Sequence, residues 1–260
     1  MRNISSLLNF FDNPHKKFYS IHIAGTNGKG SSAAYLAAIC ISSGYKTGLY
    51  TSPHLLSLTE RIRINGKKIP LGKLNNLIKR FQKEINRFDA TFFEAMTAIA
   101  FQYFAEEKVE IAIVETGLGG RLDATNVVTP ILSLITNISL EHTDVLGNSL
   151  SKIAFEKSGI IKKNIPCVTN VIQHQSLSVL KRIAHKKNAQ LYEASKKPEG
   201  LPYSCTLHYV KQYAEVVGPQ GKEETLIVDG KVPFLFKRGG IMVFNGSGSL
   251  CIKEIGRAHV

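Results

Sequence analysis

Short apolar segments alternate over residues 19–192 with longer segments whose apolar side chains recur at helical spacing. The predicted strands are residues 19–24, 46–50, 109–114 and 131–136, with further strands around Val168 and Leu191. The predicted helices are residues 31–43, 74–85, 92–107, 150–157 and 177–184. Because strands that alternate with helices form parallel sheets covered on both faces, this order predicts an α/β fold with a mostly parallel sheet.

Two segments depart from this alternation. Residues 61–69 alternate apolar and polar positions around Asn65-Gly66, a pair that predicts a β-hairpin. After about residue 198, strand-like runs at 203–217 and 224–236 are separated by glycine and proline, which predicts a β-rich extension of the same domain. We therefore expect one domain over residues 1–250, with residues 198–250 its divergent part.

The composition argues against several classes of protein but does not indicate a function. The chain has a net charge of +13, but its lysines are dispersed and lack interleaved aromatic residues, so we expect a solvated surface and no nucleic-acid partner. No apolar stretch approaches the roughly 20 residues of a membrane span, and no secretory signal is recognisable, so we expect a cytoplasmic protein without a membrane partner. Four cysteines without short paired spacing argue against a zinc site.

A glycine-rich turn between the first predicted strand and helix carries the strongest chemical signal. It reads Gly25-Thr26-Asn27-Gly28-Lys29-Gly30-Ser31. Glycines let several backbone N–H groups point at phosphate oxygens, and the following helix adds the positive end of its dipole. Lys29 would neutralise the outer phosphates and the Ser31 hydroxyl would reach a magnesium ion. The spacing differs from the common GxxxxGK[ST] loop, and a plain βα turn is the alternative, but lysine and serine together favour a nucleotide site.

Five further segments accompany this loop in a fixed order. They are Thr51-Ser52-Pro53-His54-Leu55, residues 60–66, residues 115–126, residues 141–147 and the helix at 153–162. Together with the phosphate loop, they resemble the folylpolyglutamate synthases and dihydrofolate synthases of the Mur ligase superfamily, over roughly residues 3–192. The resemblance implies a P-loop type ATP-binding domain.

The same resemblance implies an ATP-dependent ligase of folate biosynthesis, with ATP and Mg²⁺ as cofactors. In this family a pterin-linked carboxylate attacks the γ-phosphate of ATP, and the amine of L-glutamate then displaces phosphate from the acyl phosphate. The implied partners are small molecules, namely L-glutamate with dihydropteroate, a folate or both, and the implied state is a monomer.

The candidate metal ligands lie after predicted strands. Glu115 ends an apolar strand, at the sheet edge where ligands gather, so we interpret it as a magnesium ligand rather than an exposed strand-end glutamate. The resemblance adds His142 and Ser52 as ligands of a second ion and Ser31 as a ligand at the phosphate loop. From chemistry alone, His142 would be a structural loop residue or a proton shuttle, and Ser52 a turn residue before Pro53.

The resemblance also assigns Lys157 as a lysine carbamylated by carbon dioxide and thereby converted into an anionic metal ligand. This reaction requires the neutral amine, so burial or nearby cations should lower the pKa of Lys157. The residues alone would make Glu156 and Lys157 surface charges on an amphipathic helix. Lys29, Glu115, His142 and Lys157 form the expected catalytic set.

Substrate contacts are expected from two segments. Phe93 lies in Thr91-Phe92-Phe93-Glu94, which resembles a family motif near the substrate face, and Phe92 or Phe93 could stack on a pterin ring. The alternative is that most aromatic residues here, with Met96, belong to the core. Arg121, Asp123 and Ala124 are the other candidate contacts, by resemblance only.

The resemblance fades after about residue 198, and members of the family continue into a C-terminal ligase domain. We expect that domain to be absent from this chain. Residues 251–260 are expected to be a non-native tail, because residues 254–260 resemble the translation of a sequencing adapter. Three other functions stay open: a Mur-type peptide ligase, a nucleotide-binding fragment without ligase activity, and, from charge alone, a nucleic-acid-binding module.

Overall fold

A computed structural model describes residues 2–194 and the backbone of four short strands between residues 225 and 252. Residues 2–194 contain an eight-stranded sheet with the order β4-β3-β2-β5-β1-β6-β7-β8. The strands are β1 Tyr19–Ala24, β2 Thr47–Tyr50, β3 Ile62–Ile64, β4 Lys67–Lys68, β5 Ile111–Glu115, β6 Leu132–Ile135, β7 Cys167–Thr169 and β8 Leu191–Glu193.

Six of these strands pair in parallel, and β3 and β4 add an antiparallel hairpin at one edge. The predicted mostly parallel sheet is therefore confirmed. The hairpin turns at Asn65 and Gly66, whose φ angles of 47° and 76° are both positive, as a two-residue turn of this kind requires.

Seven helices are described. They are α1 Arg2–Phe10, α2 Lys29–Ser42, α3 Leu71–Arg87, α4 Phe92–Glu106, α5 Thr143–Leu146, α6 Leu150–Lys157 and α7 His174–Lys186. The sequence predicted α2, α3, α4, α6 and α7 within a few residues but not α1 or α5. Ile4, Leu7 and Leu8 are fully buried and lie at helical spacing, so α1 had a signal that a short polar-rich segment obscured.

Helices cover both faces of the sheet. On one face, Leu36 and Ala37 of α2 share a core with Ile21, Ile23 and Ile113. On the opposite face, the core residues of α1, α3 and α4 join Tyr50 and Val114, while those of α6 and α7 join Ala24 and Ile135. Residues 20–24 of β1 are buried, with Ile21 and Ile23 on one face and Ser20, His22 and Ala24 on the other.

The C-terminal strands form a separate antiparallel sheet with the order β12-β11-β10-β9. They are β9 Thr225–Leu226, β10 Phe234–Lys237, β11 Gly240–Asn245 and β12 Gly248–Ile252. They agree with a β-rich extension, whereas the predicted strand at 203–217 lies outside the described residues. The domain limits of 1–250 and the tail at 251–260 stay predictions. In the described part of the chain, no helix has the length and apolar character needed to cross a bilayer.

Candidate active site

The phosphate loop connects the carboxyl end of β1, near the centre of the sheet, to α2. Gly28 precedes the helix with φ 81°, a conformation that glycine adopts without strain, and it provides no side-chain cap. The first N–H groups of an α-helix have no partner within the helix. The amides of Lys29, Gly30 and Ser31 therefore have no partner within α2, and their use as an anion site stays a prediction.

The segment that follows β6 anchors this loop. The amide of Thr26 donates to the Asn137 carbonyl (3.0 Å), and the amide of Asn27 donates to Asn137 Oδ1 (2.8 Å). The Ser139 amide donates to Thr26 Oγ1 (3.0 Å), and Thr136 Oγ1 donates to the Asn27 carbonyl (2.7 Å). No sequence motif marks these anchors. Their one signal was their position after the predicted strand 131–136.

Lys29 lies against the loop that it follows. Its Nζ donates to the carbonyls of Gly25 (3.0 Å) and Thr26 (3.1 Å). Its charge also opposes the rise that burial causes in the pKa of Glu115, and it adds to the fall that burial causes in the pKa of Lys157.

Glu115 is the last residue of β5 and is 4% exposed, so it is not a solvent-exposed strand end. Its Oε2 accepts a hydrogen bond from the amide of Ser52 (3.2 Å) and lies 3.8 Å from the position of an ideal Cβ on Gly30. Burial raises the pKa of Glu115, opposed by the Ser52 amide and the charge of Lys29. The structure thus brings Glu115, Ser52 and the first turn of α2 together.

Lys157 closes α6 with a side chain that is only 1% exposed, so the alternative of a surface charge is wrong. Its Nζ donates to the Gly25 carbonyl (2.8 Å) and to Glu141 Oε1 (2.5 Å). Burial lowers the pKa of Lys157, and although Glu141 opposes this effect, Lys29 adds to it. The lysine therefore contacts the phosphate loop directly, and its pKa is lowered, which favours the neutral amine.

His142 has a left-handed backbone conformation (φ 42°) at the start of α5, and its side chain is exposed. Its carbonyl accepts from the amides of Val145 (2.9 Å) and Leu146 (2.8 Å). In residues 2–194, no hydrogen bond joins its imidazole to another residue. The structure places His142 in the loop after β6 but does not join it to Glu115 or Ser52, so its role as a ligand stays a prediction.

The donors around Glu115 fit a magnesium ion better than a metal held by protein alone. Within the described residues, no three His, Cys, Asp or Glu side chains are grouped as a metal site. Mg²⁺ is usually bound through one or two carboxylates, with water and phosphate oxygens completing its shell. One buried carboxylate beside the phosphate loop matches that pattern, with Ser52 bonded to it through its amide and Ser31 in the adjacent first turn of α2.

The loop after β5 is built around Asp123, which is 6% exposed. Its Oδ2 accepts from the amides of Gly117 (2.8 Å) and Leu118 (2.9 Å). Its Oδ1 accepts from the Thr125 amide (2.9 Å) and the Thr125 hydroxyl. Four bonds within the loop make Asp123 an organising residue, and its direct contact with a substrate stays a prediction.

Arg121 and Ala124 flank this carboxylate. Arg121 makes a bidentate pair with Glu156 of α6 (2.9 Å from Nη2, 3.2 Å from Nε), and its guanidinium lies 5.5 Å from the centre of the Phe155 ring. Ala124 is buried in the core shared by α1 and α4. The loop is therefore attached to the helix that carries Lys157.

Phe93, the remaining candidate substrate contact, lies on α4 and packs against the loop after β5. An ideal Cβ on Gly117 would be 2.6 Å from the Phe93 ring, and that ring lies 6.1 Å from the ring of Tyr50. Met96, Ile99 and Phe101 are core residues, as their alternative reading predicted. Phe92 is 59% exposed and lies below the guanidinium of Arg61, at 5.6 Å.

Comparisons with known proteins agree with this geometry. The family model of the Mur ligase middle domain matches residues 23–227. The dihydrofolate synthase/folylpolyglutamate synthase of Bacillus subtilis is 44% identical over 183 residues, which cover 68% of this chain and 43% of that protein.

Solved structures give the same result. A folylpolyglutamate synthase from Thermotoga maritima is 43% identical with a TM-score of 0.69, over 74% of this chain and 45% of its own. A bifunctional folylpolyglutamate synthase/dihydrofolate synthase from Yersinia pestis, complexed with AMPPNP and manganese, is 35% identical with a TM-score of 0.69, over 74% of this chain and 46% of its own. The chain thus spans less than half the length of each of these relatives. Since the family model covers most of the sequence, this chain belongs to the Mur ligase family and carries its middle domain.

Proposed function

We propose that this chain is the ATP-binding part of an ATP-dependent ligase that joins L-glutamate to dihydropteroate, a folate or both. The observation that carries the proposal is the uncapped first turn of α2, which faces the buried carboxylate of Glu115 at the carboxyl edge of the sheet. The names of the Bacillus and Thermotoga relatives supply the reaction.

Nucleotide binding is assigned to residues 25–31. The amides at the start of α2 would bind phosphate oxygens, and Lys29 would exchange its bonds to two loop carbonyls for the outer phosphates. The AMPPNP complex of the Yersinia relative supports ATP as the nucleotide. The anchors at Thr136, Asn137 and Ser139 keep the loop in place before any ligand arrives, so less ordering entropy is lost on binding.

Magnesium would be held by Glu115 with the hydroxyls of Ser31 and Ser52, and the proposal adds His142 and a carbamylated Lys157 as further ligands. When bound, magnesium neutralises phosphate oxygens and keeps the transferred group in line with its acceptor. The residues themselves prepare the site: the Ser52 amide orients Glu115, and burial lowers the pKa of Lys157, the direction that carbamylation needs.

The reaction proceeds in two transfers. An oxygen of the acceptor carboxylate forms a bond to the γ-phosphorus of ATP, and the bond to the β-phosphate bridging oxygen breaks, which releases ADP. The amine of L-glutamate then attacks the acyl carbon, phosphate leaves and the amine loses a proton to give the amide. Lys29 stabilises the charge that develops on the transferred phosphoryl group.

The walls of the acceptor site are assigned to Phe93, Arg121, Asp123 and Ala124. Phe93 offers an aromatic face beside Gly117, which suits a pterin ring. The chain is inferred to act on small molecules rather than on nucleic acid, because its lysines are dispersed rather than grouped as in a nucleic-acid site. A monomeric state and a cytoplasmic location are further parts of the proposal.

The deciding experiment extends the chain with the C-terminal half of the Bacillus relative and measures acceptor-dependent phosphate release. ATP, Mg²⁺ and L-glutamate are supplied with dihydropteroate or tetrahydrofolate, and Lys29→Ala in the same extended chain is the control. Release with dihydropteroate indicates a dihydrofolate synthase, release with tetrahydrofolate a folylpolyglutamate synthase, and release with both a bifunctional enzyme. A folded extended chain that binds ATP and releases no phosphate with either would contradict the proposal.

Two alternatives have distinct outcomes. The family membership keeps a Mur-type peptide ligase possible, and phosphate release with a murein precursor but with no folate would favour it. A nucleotide-binding fragment without ligase activity predicts that the 260-residue chain binds ATP but releases no phosphate with any acceptor.

A further inference from the structure

A buried histidine lies on the strand that leads into the phosphate loop. His22 of β1 is 0% exposed and pairs in register with Val114 of β5 and Ser133 of β6. Its Nε2 lies 2.8 Å from Thr125 Oγ1, and its Nδ1 has no hydrogen-bond partner within the described residues. Burial of a polar ring costs free energy unless hydrogen bonds compensate for the lost water, and here only one of the two ring nitrogens is bonded.

The direction of each bond follows from what each group can donate. Thr125 has one hydroxyl proton, which it donates to Asp123 Oδ1, so His22 Nε2 must carry a proton and donate to Thr125. The carboxylate of Asp123 also accepts three backbone amides, from Gly117, Leu118 and Thr125. Although burial raises the pKa of Asp123, these amide bonds favour its ionised form.

His22 is suited to donate a hydrogen bond to Thr125 without changing its protonation state. Burial, together with the charge of Lys162, lowers the pKa of His22 to about 3. The ring is therefore neutral at physiological pH, with its one proton on Nε2. The Thr125 hydroxyl in turn cannot rotate away from Asp123 without losing two bonds.

We propose that His22 is a positioning residue that, through Thr125 and Asp123, fixes the Gly117–Leu118 backbone and thereby the binding of the carboxylate acceptor. This backbone begins two residues after Glu115 and packs against Phe93, so its conformation sets the wall to which the acceptor is assigned. The acceptor part rests on the proposed function, whereas the hydrogen-bond chain does not.

Nucleotide binding should be independent of this chain of bonds. The phosphate loop is held instead by Thr136, Asn137 and Ser139, none of which contacts Thr125 or Asp123 through a hydrogen bond in the described structure. Loss of the His22 donor should therefore weaken acceptor binding and leave ATP binding nearly unchanged.

The first test is the tautomer of His22. In the 260-residue chain labelled with ¹⁵N-histidine, NMR should show a neutral Nε2–H imidazole for His22 from pH 7 to pH 5, with the signal assigned by its loss in His22→Gln. A protonated Asp123 would reverse the bond directions and place the proton on Nδ1. An Nδ1–H tautomer, or an imidazolium at pH 6, would overturn the proposal.

The second test is amide hydrogen exchange at Gly117 and Leu118. Loss of the donor in His22→Leu, or of the hydroxyl in Thr125→Val, should speed exchange at both amides by about tenfold. His22→Gln and Thr125→Ser keep a donor and a hydroxyl and should restore exchange to within about twofold of the parent. Leu180→Ala, which opens a cavity under α7, controls for a general loss of stability and should not speed these two amides selectively.

The third test separates acceptor from nucleotide. In the 260-residue protein, Thr125→Val should weaken dihydropteroate binding about tenfold and change ATP binding by less than about twofold. Equal losses for both ligands would overturn the positioning role. If the tautomer and exchange results hold but the parent chain does not bind dihydropteroate, the hydrogen-bond chain stands and the proposed acceptor fails.

Discussion

Close packing of single residues fixes the conformation of the phosphate loop. An ideal Cβ on Gly25 would lie 1.8 Å from Thr136 Oγ1, and the φ of Gly25 is +151°. Any side chain at this position must therefore displace the hydroxyl that binds the Asn27 carbonyl. Glycine is required here by space as well as by backbone conformation.

We expect Gly25→Ala to lower ATP affinity by about tenfold or more, because displacement of Thr136 releases one anchor of the loop. Titration of the chain with a fluorescent ATP analogue in the presence of Mg²⁺ measures this effect. Gly44→Ala is the matched control: its φ of +84° is also positive, but nothing lies within 4 Å of an added Cβ. The control should lose about 1 kcal/mol of unfolding free energy and keep its ATP affinity. Unchanged affinity in Gly25→Ala would contradict this account.

At the scale of single residues, the sequence allowed the phosphate-loop residues to be predicted but not the residues that hold this loop in place. Residues 25–31 could be interpreted locally because strand, loop and helix N-terminus follow one another in the chain. Asn137 lies 110 residues from the Asn27 amide that it binds, and no local pattern encodes such a distance. The burial of Lys157 likewise depends on the packing of α6 beneath the loop, which an amphipathic pattern alone cannot show.

Two helices share one carboxylate at their N-termini. Glu94 forms a capping box with Thr91 at the start of α4, in which Thr91 N donates to Glu94 Oε2 (2.9 Å). Glu94 Oε1 accepts from the amide of Ile4 in the first turn of α1 (3.2 Å). This glutamate thus satisfies unpaired amides of both helices and attaches α1 to α4.

Glu94→Ala should lower the free energy of unfolding by about 2 kcal/mol, since it removes a capping box and a second cap together. Thr91→Ala, which removes only the hydroxyl of the box, should cost about 1 kcal/mol. Denaturant unfolding measures both values. Amide exchange at Ile4 should accelerate in Glu94→Ala and not in Thr91→Ala, and equal acceleration in the two variants would show that Glu94 does not hold α1.

A second carboxylate joins α3 to α4. Burial opposes ionisation of Glu106, but bonds from Lys73 (2.9 Å), Arg80 and Gln102 (3.0 Å) outweigh it and lower the pKa of Glu106 to about 2. A carboxylate whose pKa is lowered in the folded state stabilises the fold fully at pH values above its ordinary pKa of 4.5. This contribution is lost as the pH falls toward 2.

Glu106→Gln should therefore lower the free energy of unfolding by about 1 kcal/mol at pH 7, a value reduced for solvent screening of a partly exposed group. The difference from the parent should shrink as pH falls below about 4.5. Urea unfolding between pH 7 and pH 3 tests the trend. Glu107→Gln is the control because it removes the same charge but only one ion pair, at 3.4 Å from Lys46. A difference that is constant with pH would rule out ionisation of Glu106 as the cause.

Elements with strong periodicity were predictable, and weak ones were not. β1 and α6 have the predicted bounds, because a largely apolar run that stops before Gly25 and a short amphipathic helix are local signals. α1 was missed because its stability comes from burial of three apolar residues and from Glu94, about 90 residues away. α5 is a single turn of four residues, too short for any helical period to appear.

At the scale of the whole molecule, the candidate nucleotide and metal groups that follow strands lie at the carboxyl edge of the parallel strands. The loops after β1, β2, β5 and β6 bring residues 25–31, Ser52, Glu115 and residues 136–142 to this edge. Sites of open α/β sheets form at this edge because the loops there meet the positive ends of helices. The family resemblance and the sheet order therefore lead independently to the same surface.

Binding of ATP with Mg²⁺ should produce a hydrogen-exchange footprint confined to that edge. Peptides that contain residues 24–31, 51–56, 115–120 and 136–142 should exchange more slowly, since a ligand bound there restricts the opening of all four loops. Peptides from α3 and from residues 44–46 at the opposite edge should not change. Lys29→Ala in the same experiment controls for indirect effects and should abolish the footprint. Protection that spreads evenly over the sheet would instead indicate general stabilisation, and protection without residues 115–120 would remove Glu115 from the nucleotide site.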